Sequence, residues 1–507
     1  MKSIKYLFAV LALSILACSD LEEKPVGLLS PEGFFQSPKD VETAVNGAIG
    51  HLQHENWWGR KLSVGLMLRS DMVGIGDAGT PARRKDHNFF TVLGDNGLIT
   101  VFWPRSYQAI AAANEAIAGA ELIAGNTPEE QLNPAAAQAR FVRAFTYFHL
   151  VRLFGDIPYL DKPADNIEEA LQISKTPAAE VYTNIIADLE FAKQWLPDQQ
   201  PNRSKPSKGT AAAFLSSVYL TIGNYAKAYE EANFVISNEA RFNFGLAADY
   251  QDLFNADKQN SLNESLFSLD YNGFSNGDNG RDYQGALTGI RAAIDEYGGG
   301  WSVSVPNINV YNTWDGRDYR KAVSLDTVAV FKDGPQPFTK FPDYDPRNIP
   351  SAYIAKYTRF PGMAQDGNYR ASSTNYAMMR YAEVLLIAAE ALNEIEPGSA
   401  EAAALVNRVR ARARNRAGVM TAFPEDVTPG LSQGEFRDMV LEERKWEMAF
   451  EHGRWYDIAR RKLGDKVFGP DGLEPQPNFD PARDYLLPLP ADELVRNPNL
   501  EPQNPGY

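Results

Sequence analysis

Tyr219-Leu220-Thr221-Ile222-Gly223-Asn224-Tyr225-Ala226-Lys227-Ala228 is the stretch that decides how this chain folds. A helical pattern of apolar residues enters it from about residue 208, and another leaves it towards residue 236, with only Gly223-Asn224 between them. A break that short brings two consecutive helices back alongside each other in antiparallel fashion. Small residues, Ala212, Ala228 and Ala232, let the pair approach closely, while Leu215, Tyr219 and Tyr225 fill the groove between them.

Working outward, the same periodicity recurs. Ser37-Pro38 supplies an N-cap and a first-turn proline, and Val41, Ala44, Val45, Ala48, Ile49 and Leu52 follow at helical spacing. Further helices are expected over 98–123, 135–154, 177–196, 208–222, 225–236, 376–395, 400–416 and 433–461, with few convincing strands. The short-linked pairs resemble tetratricopeptide hairpins in degenerate, widely spaced form. The expected fold is therefore mostly α, a single large domain of tetratricopeptide-like hairpins scaffolding an irregular, loop-rich region.

That region is 240–375, rich in Gly, Asn, Asp, Pro and aromatic residues and poor in sustained helical periodicity. A long irregular segment in a compact domain is either functional or disordered, and its many rings argue for a folded, ligand-binding insert. Residues 376–507 return to helix and end in a tail.

The chain has 507 residues, 44% of them hydrophobic, enough to bury a sizeable core. Sixty-five Asp and Glu against 50 Lys and Arg give a net charge of -15, which repels phosphate backbones, so nucleic acid is not an expected partner. At the N-terminus Lys2 and Lys5 precede an apolar run from Tyr6 to Leu16, too short to span a bilayer but suited to an export signal over 1–17. Cys18, the only cysteine, follows Ile15-Leu16-Ala17 in a stretch that resembles a bacterial lipobox, so it is the expected lipid anchor. Residues 18–30 form a tether that begins Ser19-Asp20-Leu21-Glu22-Glu23-Lys24-Pro25, whose acidic start resembles the surface-export signals of Bacteroidetes lipoproteins; the folded domain is 31–507. With Cys18 acylated no disulfide can form, and packing alone must supply stability.

Four segments then carry a family resemblance. They are Ala139-Arg140-Phe141-Val142-Arg143-Ala144-Phe145-Thr146-Tyr147-Phe148 with its continuation Val151 to Pro158; Arg380-Tyr381-Ala382-Glu383-Val384-Leu385-Leu386-Ile387-Ala388-Ala389-Glu390-Ala391-Leu392-Asn393 with Val406 to Ala413; Glu442 to Arg461, containing Glu447-Met448-Ala449-Phe450-Glu451-His452-Gly453-Arg454-Trp455-Tyr456-Asp457; and the tail with Leu487-Pro488-Leu489-Pro490 and Asn497-Pro498-Asn499-Leu500. Together these resemble the SusD/RagB-like family of outer-membrane nutrient-binding lipoproteins. The resemblance implies a non-enzymatic protein, lipid-anchored in the outer membrane and facing the cell surface, that captures an oligosaccharide or related nutrient and delivers it to a SusC-like TonB-dependent transporter. It leaves a RagB-like peptide binder as an alternative, and a surface-anchored glycan-active enzyme with two opposed carboxylates as another. No cofactor or metal is expected.

Several residues invite chemistry. Glu443, Glu447 and Glu451 recur at four-residue spacing, but nearby Arg444, Arg454, Arg460 and Arg461 favour charge pairing over acid–base work. His51 and His54 would need a further ligand to hold a metal. Asp270, Asn272, Asn276, Asp278 and Asn279 lie among glycines, where turn formation explains them as well as calcium does.

Tyr297-Gly298-Gly299-Gly300-Trp301 is the most useful aromatic signal, because three glycines would leave the flanking rings on a mobile, accessible turn. Family members place a tryptophan near this point in the ligand site, with a second contribution from the loop after an early helix. Here that loop is 68–96, and it offers Asp71, Asp77, Arg83, Arg84 and Asp86. The expected ligand-binding residues are Trp301, Tyr297, Asp71, Arg83 and Arg84, with Tyr283 and Arg281 as weaker candidates and Trp57, Trp58 and Trp314 weaker still.

Overall fold

The computed structural model describes residues 30–164, 166–274, 280–291, 299–331, 334–340, 351–363, 369–428 and 430–507. Cys18, the export segment, the tether to residue 29, Tyr297, Gly298 and Asn276, Asp278 and Asn279 lie outside those residues. Twelve helices position the candidate site: α1 (Pro38–Gln53), α2 (Lys61–Leu68), α3 (Ala82–Phe89), α4 (Ile99–Ile123), α5 (Glu129–Phe154), α6 (Ala178–Trp195), α7 (Lys208–Thr221), α8 (Tyr225–Ser237), α9 (Tyr381–Ile395), α10 (Ala400–Ala413), α11 (Gln433–Glu447) and α12 (Arg454–Arg461). The mostly helical, single-domain fold read from the sequence is the one found.

Each long helix packs on the next. α1 and α4 lie against α5, α5 against α6, α6 against α7, α7 against α8, α8 against α9, and α9 against α10 and α11. The hairpin at Gly223-Asn224 is present: Gly223 takes a φ of 77°, and the Asn224 side chain caps α8 by accepting from the Lys227 amide. Ala212, Ala228 and Ala232 are completely buried, as close helix approach requires. Ser207 and Thr210 form a reciprocal cap at the start of α7. Among the described residues no helix is long and apolar enough to cross a membrane.

The insert is held to this scaffold by short antiparallel strand pairs. β1 (Val73–Ile75) pairs with β3 (Ser304–Pro306) and β2 (Ser265–Leu269) with β6 (Tyr376–Arg380), while a third pair, β4 (Leu325–Asp326) with β5 (Tyr353–Ile354), lies within the insert. Strands of two to five residues are too short to show an alternating pattern in sequence. Residues 376–380, read as the first turn of a helix, are instead β6, and α9 starts at Tyr381. Phe267 on β2 meets Phe141 of α5 at 5.0 Å and stands 5.5 Å from Phe145, which anchors the insert in the main core.

The helix expected over 433–461 is two helices. Between α11 and α12 the chain turns through Phe450 (φ 65°) and His452 (φ 70°). The insert and β6 supply the reason: Tyr250 Oη and Arg380 Nη2 donate to the Glu447 carbonyl, at 2.6 and 2.9 Å, and Tyr357 Oη donates to the Phe450 carbonyl at 2.7 Å. Side chains from another segment thus satisfy carbonyls that a continuing helix would have used.

Candidate ligand-binding site

The β1–β3 pairing brings the early loop and the tryptophan segment together. Ile75 is opposite Ser304, and just beyond this pair the backbones approach so closely that a Cβ on Gly76 would lie 2.1 Å from Val305 Cγ2 and 2.7 Å from the Ser302 carbonyl oxygen. Only glycine fits there. Pro81 then leads into α3, whose successive residues diverge: Arg83 is exposed, and Arg84 is buried at 6% exposure.

A second close approach sets the other wall. Tyr283 donates its backbone N–H to the Gly59 carbonyl at 2.9 Å, and a Cβ on Gly59 would sit 2.3 Å from the Arg281 carbonyl oxygen. Residues 281–283 therefore lie directly on the junction between Gly59 and α2. The Arg60 guanidinium carbon consequently stands 4.4 Å from the centre of the Tyr283 ring. Arg281 Nη1 donates to Tyr283 Oη at 3.1 Å. Beneath them Asp282 is fully buried, and burial pushes its carboxyl up to about 6 against hydrogen bonds from the Ser372 hydroxyl, the Gln284 amide and Tyr376 Oη.

Trp301 is half-buried, with its ring centre 5.6 Å from that of Tyr283 and the planes 33° apart. The guanidinium carbons of Arg370 and Arg84 stand 4.9 and 5.7 Å from the Trp301 ring. Gly299 and Gly300 before it do not act as a loose hinge. Gly299 and Gly300 are buried, and a Cβ on Gly300 would lie 2.3 Å from the Gly289 carbonyl carbon. The Trp301 amide donates to the Ala286 carbonyl at 2.7 Å, so the ring stands on a clamped backbone.

Trp301, Tyr283, Arg281, Arg83 and Arg84 are thus brought together, joined by Arg60, Lys61 and Arg370, which sequence reasoning did not single out; the Tyr283 side chain is itself buried, so Trp301 is the ring of the pair that solvent reaches. Asp77 turns back on its own loop, accepting from the Gly79 amide at 2.8 Å and pairing with Arg291. Asp71 is elsewhere: it is completely buried and accepts both Nε and Nη2 of Arg454 at 2.8 Å. Trp57, Trp58 and Trp314 are core side chains; Trp314 stacks on Trp446 at 4.6 Å. Only the Arg60-Lys61 doublet beside Trp57-Trp58 could have signalled the missed cations, and doublets such as Arg460-Arg461 are built into ion pairs instead.

The site's electrostatics are one-sided. Burial lowers Lys61 to about 8, with Arg60, Arg83 and Arg84 adding to the fall and Glu55 opposing it. Burial, then Arg60 and Arg83, lowers Arg84 to about 10. Glu55 pairs with Arg60 at 2.5 Å.

The tempting carboxylates are tied up. Glu443 takes Arg320 and Arg410 at 2.6 and 2.7 Å; Glu447 takes Arg320 at 3.1 Å and Arg380 at 2.9 Å, together with Arg412; Glu451 takes Arg380 and Lys356, both at 2.7 Å. Charge pairing is as expected, though the partners come from the insert and from β6 and α10 rather than from Arg444, Arg454, Arg460 and Arg461. His51 and His54 both contact Arg105, at 2.8 and 3.2 Å, which puts a cation where a metal ion would have to be. Asn272 accepts from the Phe274 amide at 3.0 Å in a local turn.

A separate recess of about 310 Å³ opens between the α6–α7 connection and β6. Its lining is rich in amides, among them Gln199, Asn202, Asn243, Asn260 and Asn375, with Trp58 and Tyr376 among its rings.

Comparison with known proteins gives a consistent picture. A family described as "SusD family" matches residues 344–507, and one described as "Starch-binding associating with outer membrane" matches residues 61–220. A SusD-like protein of Formosa agariphila is 56% identical over the full length of both chains. Among solved structures, a SusD homologue from Bacteroides thetaiotaomicron is 21% identical, with a TM-score of 0.83 over 94% of this chain and 98% of that one. A laminarin-binding SusD-like protein is 23% identical, with a TM-score of 0.74 over 93% of this chain and 99% of that one.

Proposed function

Because the chain belongs to the SusD-like family, we propose that it captures an oligosaccharide at the cell surface, without covalent change, and delivers it to a SusC-like TonB-dependent transporter in the outer membrane. The observation that carries the reading is the half-buried Trp301 ring, which stands beside the buried Tyr283 ring, is flanked by the Arg84 and Arg370 guanidinium groups and is set on clamped backbone. Flat apolar ring faces stack on the C–H faces of a sugar, while fixed N–H donors take its hydroxyl oxygens. Little conformational entropy is lost on binding when the rings are already held.

Cys18, once acylated, would hold the protein to the membrane, and the 18–30 tether would keep it concentrated over its transporter. The laminarin-binding protein of similar fold supports a glycan rather than a peptide as ligand. The ion-paired state of Glu443, Glu447 and Glu451 supports binding without hydrolysis, since none of the three is left to act as an acid or base.

The test is a panel of oligosaccharides and peptides offered to the detergent-extracted, full-length protein, with chromatography of whatever is recovered. Retention of one glycan group, returned intact after long incubation, is expected. Retention of peptides alone, or recovery of shortened glycan, would overturn the reading.

A further inference from the structure

The recess between the α6–α7 connection and β6 does not share its lining with the Trp301 site, and its chemistry is different. Six carboxamides from three stretches of chain line it: Gln199, Gln200, Asn202, Asn243, Asn260 and Asn263, five of them exposed and Gln200 half-buried. Every one of the six is held at one end. Gln199 Nε2 donates to the Arg241 carbonyl at 2.9 Å, Gln200 Nε2 to the Pro206 carbonyl at 2.8 Å and Asn263 Nδ2 to Asn243 Oδ1 at 2.9 Å. Asn202 Oδ1 accepts from the Ser204 hydroxyl and Asn260 Oδ1 from Asn375 Nδ2, both at 2.8 Å. The opposite ends bond no other described residue, and they form a balanced set: carbonyl oxygens on Gln199, Gln200 and Asn263, and NH2 groups on Asn202, Asn243 and Asn260. Leu253, Leu262 and Met378 add half-buried apolar surface. Of the charged side chains in the lining, Arg380 and Glu451 pair with each other at 2.7 Å, and Arg203 donates to the Asn243 carbonyl at 2.7 Å. Burial lowers His452 to about 4, which leaves it neutral at pH 7.

We propose that this recess is a second binding site, separate from Trp301, for an uncharged sugar of about one or two rings. Its volume of about 310 Å³ lies at the lower end of the range of small-ligand sites, about 300–1,000 Å³. A sugar hydroxyl both donates and accepts, so N–H and C=O ends held in fixed positions can take neighbouring hydroxyls without any charge, while the apolar side chains take C–H faces. Prior anchoring of the amides lowers the entropy lost on binding. A carboxylate or sulfate would give up its water for mostly neutral dipoles and gain little. Strand pairing by a peptide is blocked at Ser268, whose amide already donates to the Arg203 carbonyl at 2.8 Å. The two sites lie back to back: Tyr376 lines the recess and donates its hydroxyl to Asp282, the residue between Arg281 and Tyr283.

The test is calorimetric titration of the full-length protein in detergent, and of its Trp301→Ala variant, with neutral mono- and disaccharides, the matching uronic acids, and dipeptides. A neutral sugar should bind Trp301→Ala with a Kd of about 1 mM. Gln199→Leu and Asn260→Leu, on exposed side chains at opposite ends of the lining sequence, should each weaken that binding about three- to tenfold, the effect of one hydrogen bond. In the protein that keeps Trp301, the same two substitutions should weaken the weaker of two binding classes and leave the tighter one and the melting temperature unchanged. Failure of every neutral sugar to bind Trp301→Ala at about 10 mM, or binding that neither substitution alters, overturns the recess as a site and leaves capture at Trp301 standing. Preference for uronic acids or for dipeptides overturns the uncharged sugar. Binding that follows Gln199 and Asn260 but ignores Trp301 supports the recess and sinks the reading of the Trp301 site.

Discussion

Asp71 and Arg454, 383 positions apart, close a two-bond ion pair at 2.8 Å and 2.8 Å with the aspartate completely buried. It joins the end of α2 to the start of α12, so the loop that supplies Arg83 and Arg84 is tied to the C-terminal helices. Burial opposes the charge on Asp71, but Arg454 outweighs it and keeps the carboxyl below its ordinary range. Breaking a buried pair leaves an uncompensated charge, so Asp71→Ala should cost about 3–5 kcal/mol in a denaturant titration. Ligand affinity of the folded protein should hardly change. Unchanged stability with lost affinity would instead make Asp71 a ligand contact.

Glu447 gives the pH dependence a sign. Burial raises its pKa, but Arg412, Arg380 and Arg320 together outweigh this and bring it from 4.5 down to about 2. A group whose folded pKa is depressed stabilises above its unfolded value and loses that contribution as pH falls through the folded one. Stability should therefore decline between about pH 4.5 and about pH 2. Glu447→Gln should be less stable at neutral pH and should show a flatter decline; a parallel decline in the variant would refute the assignment.

Gly76 and Gly47 should respond in opposite directions to alanine. At Gly76 the added methyl meets Val305 and the Ser302 carbonyl, forcing β1 and β3 apart, so a loss of about 1–3 kcal/mol and weaker ligand binding are expected. At Gly47, inside α1, a Cβ meets nothing within 4 Å, and alanine should add about 0.5–1 kcal/mol. Thermal melts of both variants decide, and a harmless Gly76→Ala would mean that the strand pairing does not hold the site.

Helices were legible because their signals are local: Ser37-Pro38, Gly223-Asn224 and Gly155 each mark a boundary within a few residues. The break at Phe450–His452 was not, because the groups that stabilise it, Tyr250, Tyr357 and Arg380, lie outside that segment. The site was half legible. Trp301 and Arg84 stood out by residue type and context, whereas Arg60 and Lys61 join them only because Gly59 lets residues 281–283 cross it. Asp71 looked like a binding residue for the same reason that Arg84 did, an ionisable side chain in a loop, and burial against Arg454 is a long-range fact that no local pattern carries.

Whether sugar is captured at the half-buried Trp301 ring is decided by Trp301→Ala, read in calorimetry beside thermal melting. Trp301 is half-buried, so some loss of stability is expected, but the backbone that holds it is clamped by Gly300 and by the Ala286 carbonyl. With the tightest-binding oligosaccharide of the panel, loss of the ring should weaken binding by about 1–3 kcal/mol, roughly five- to 150-fold, while the melting transition stays cooperative. A variant that binds the same oligosaccharide with unchanged affinity and differs only in melting temperature would return Trp301 to the core and contradict the account.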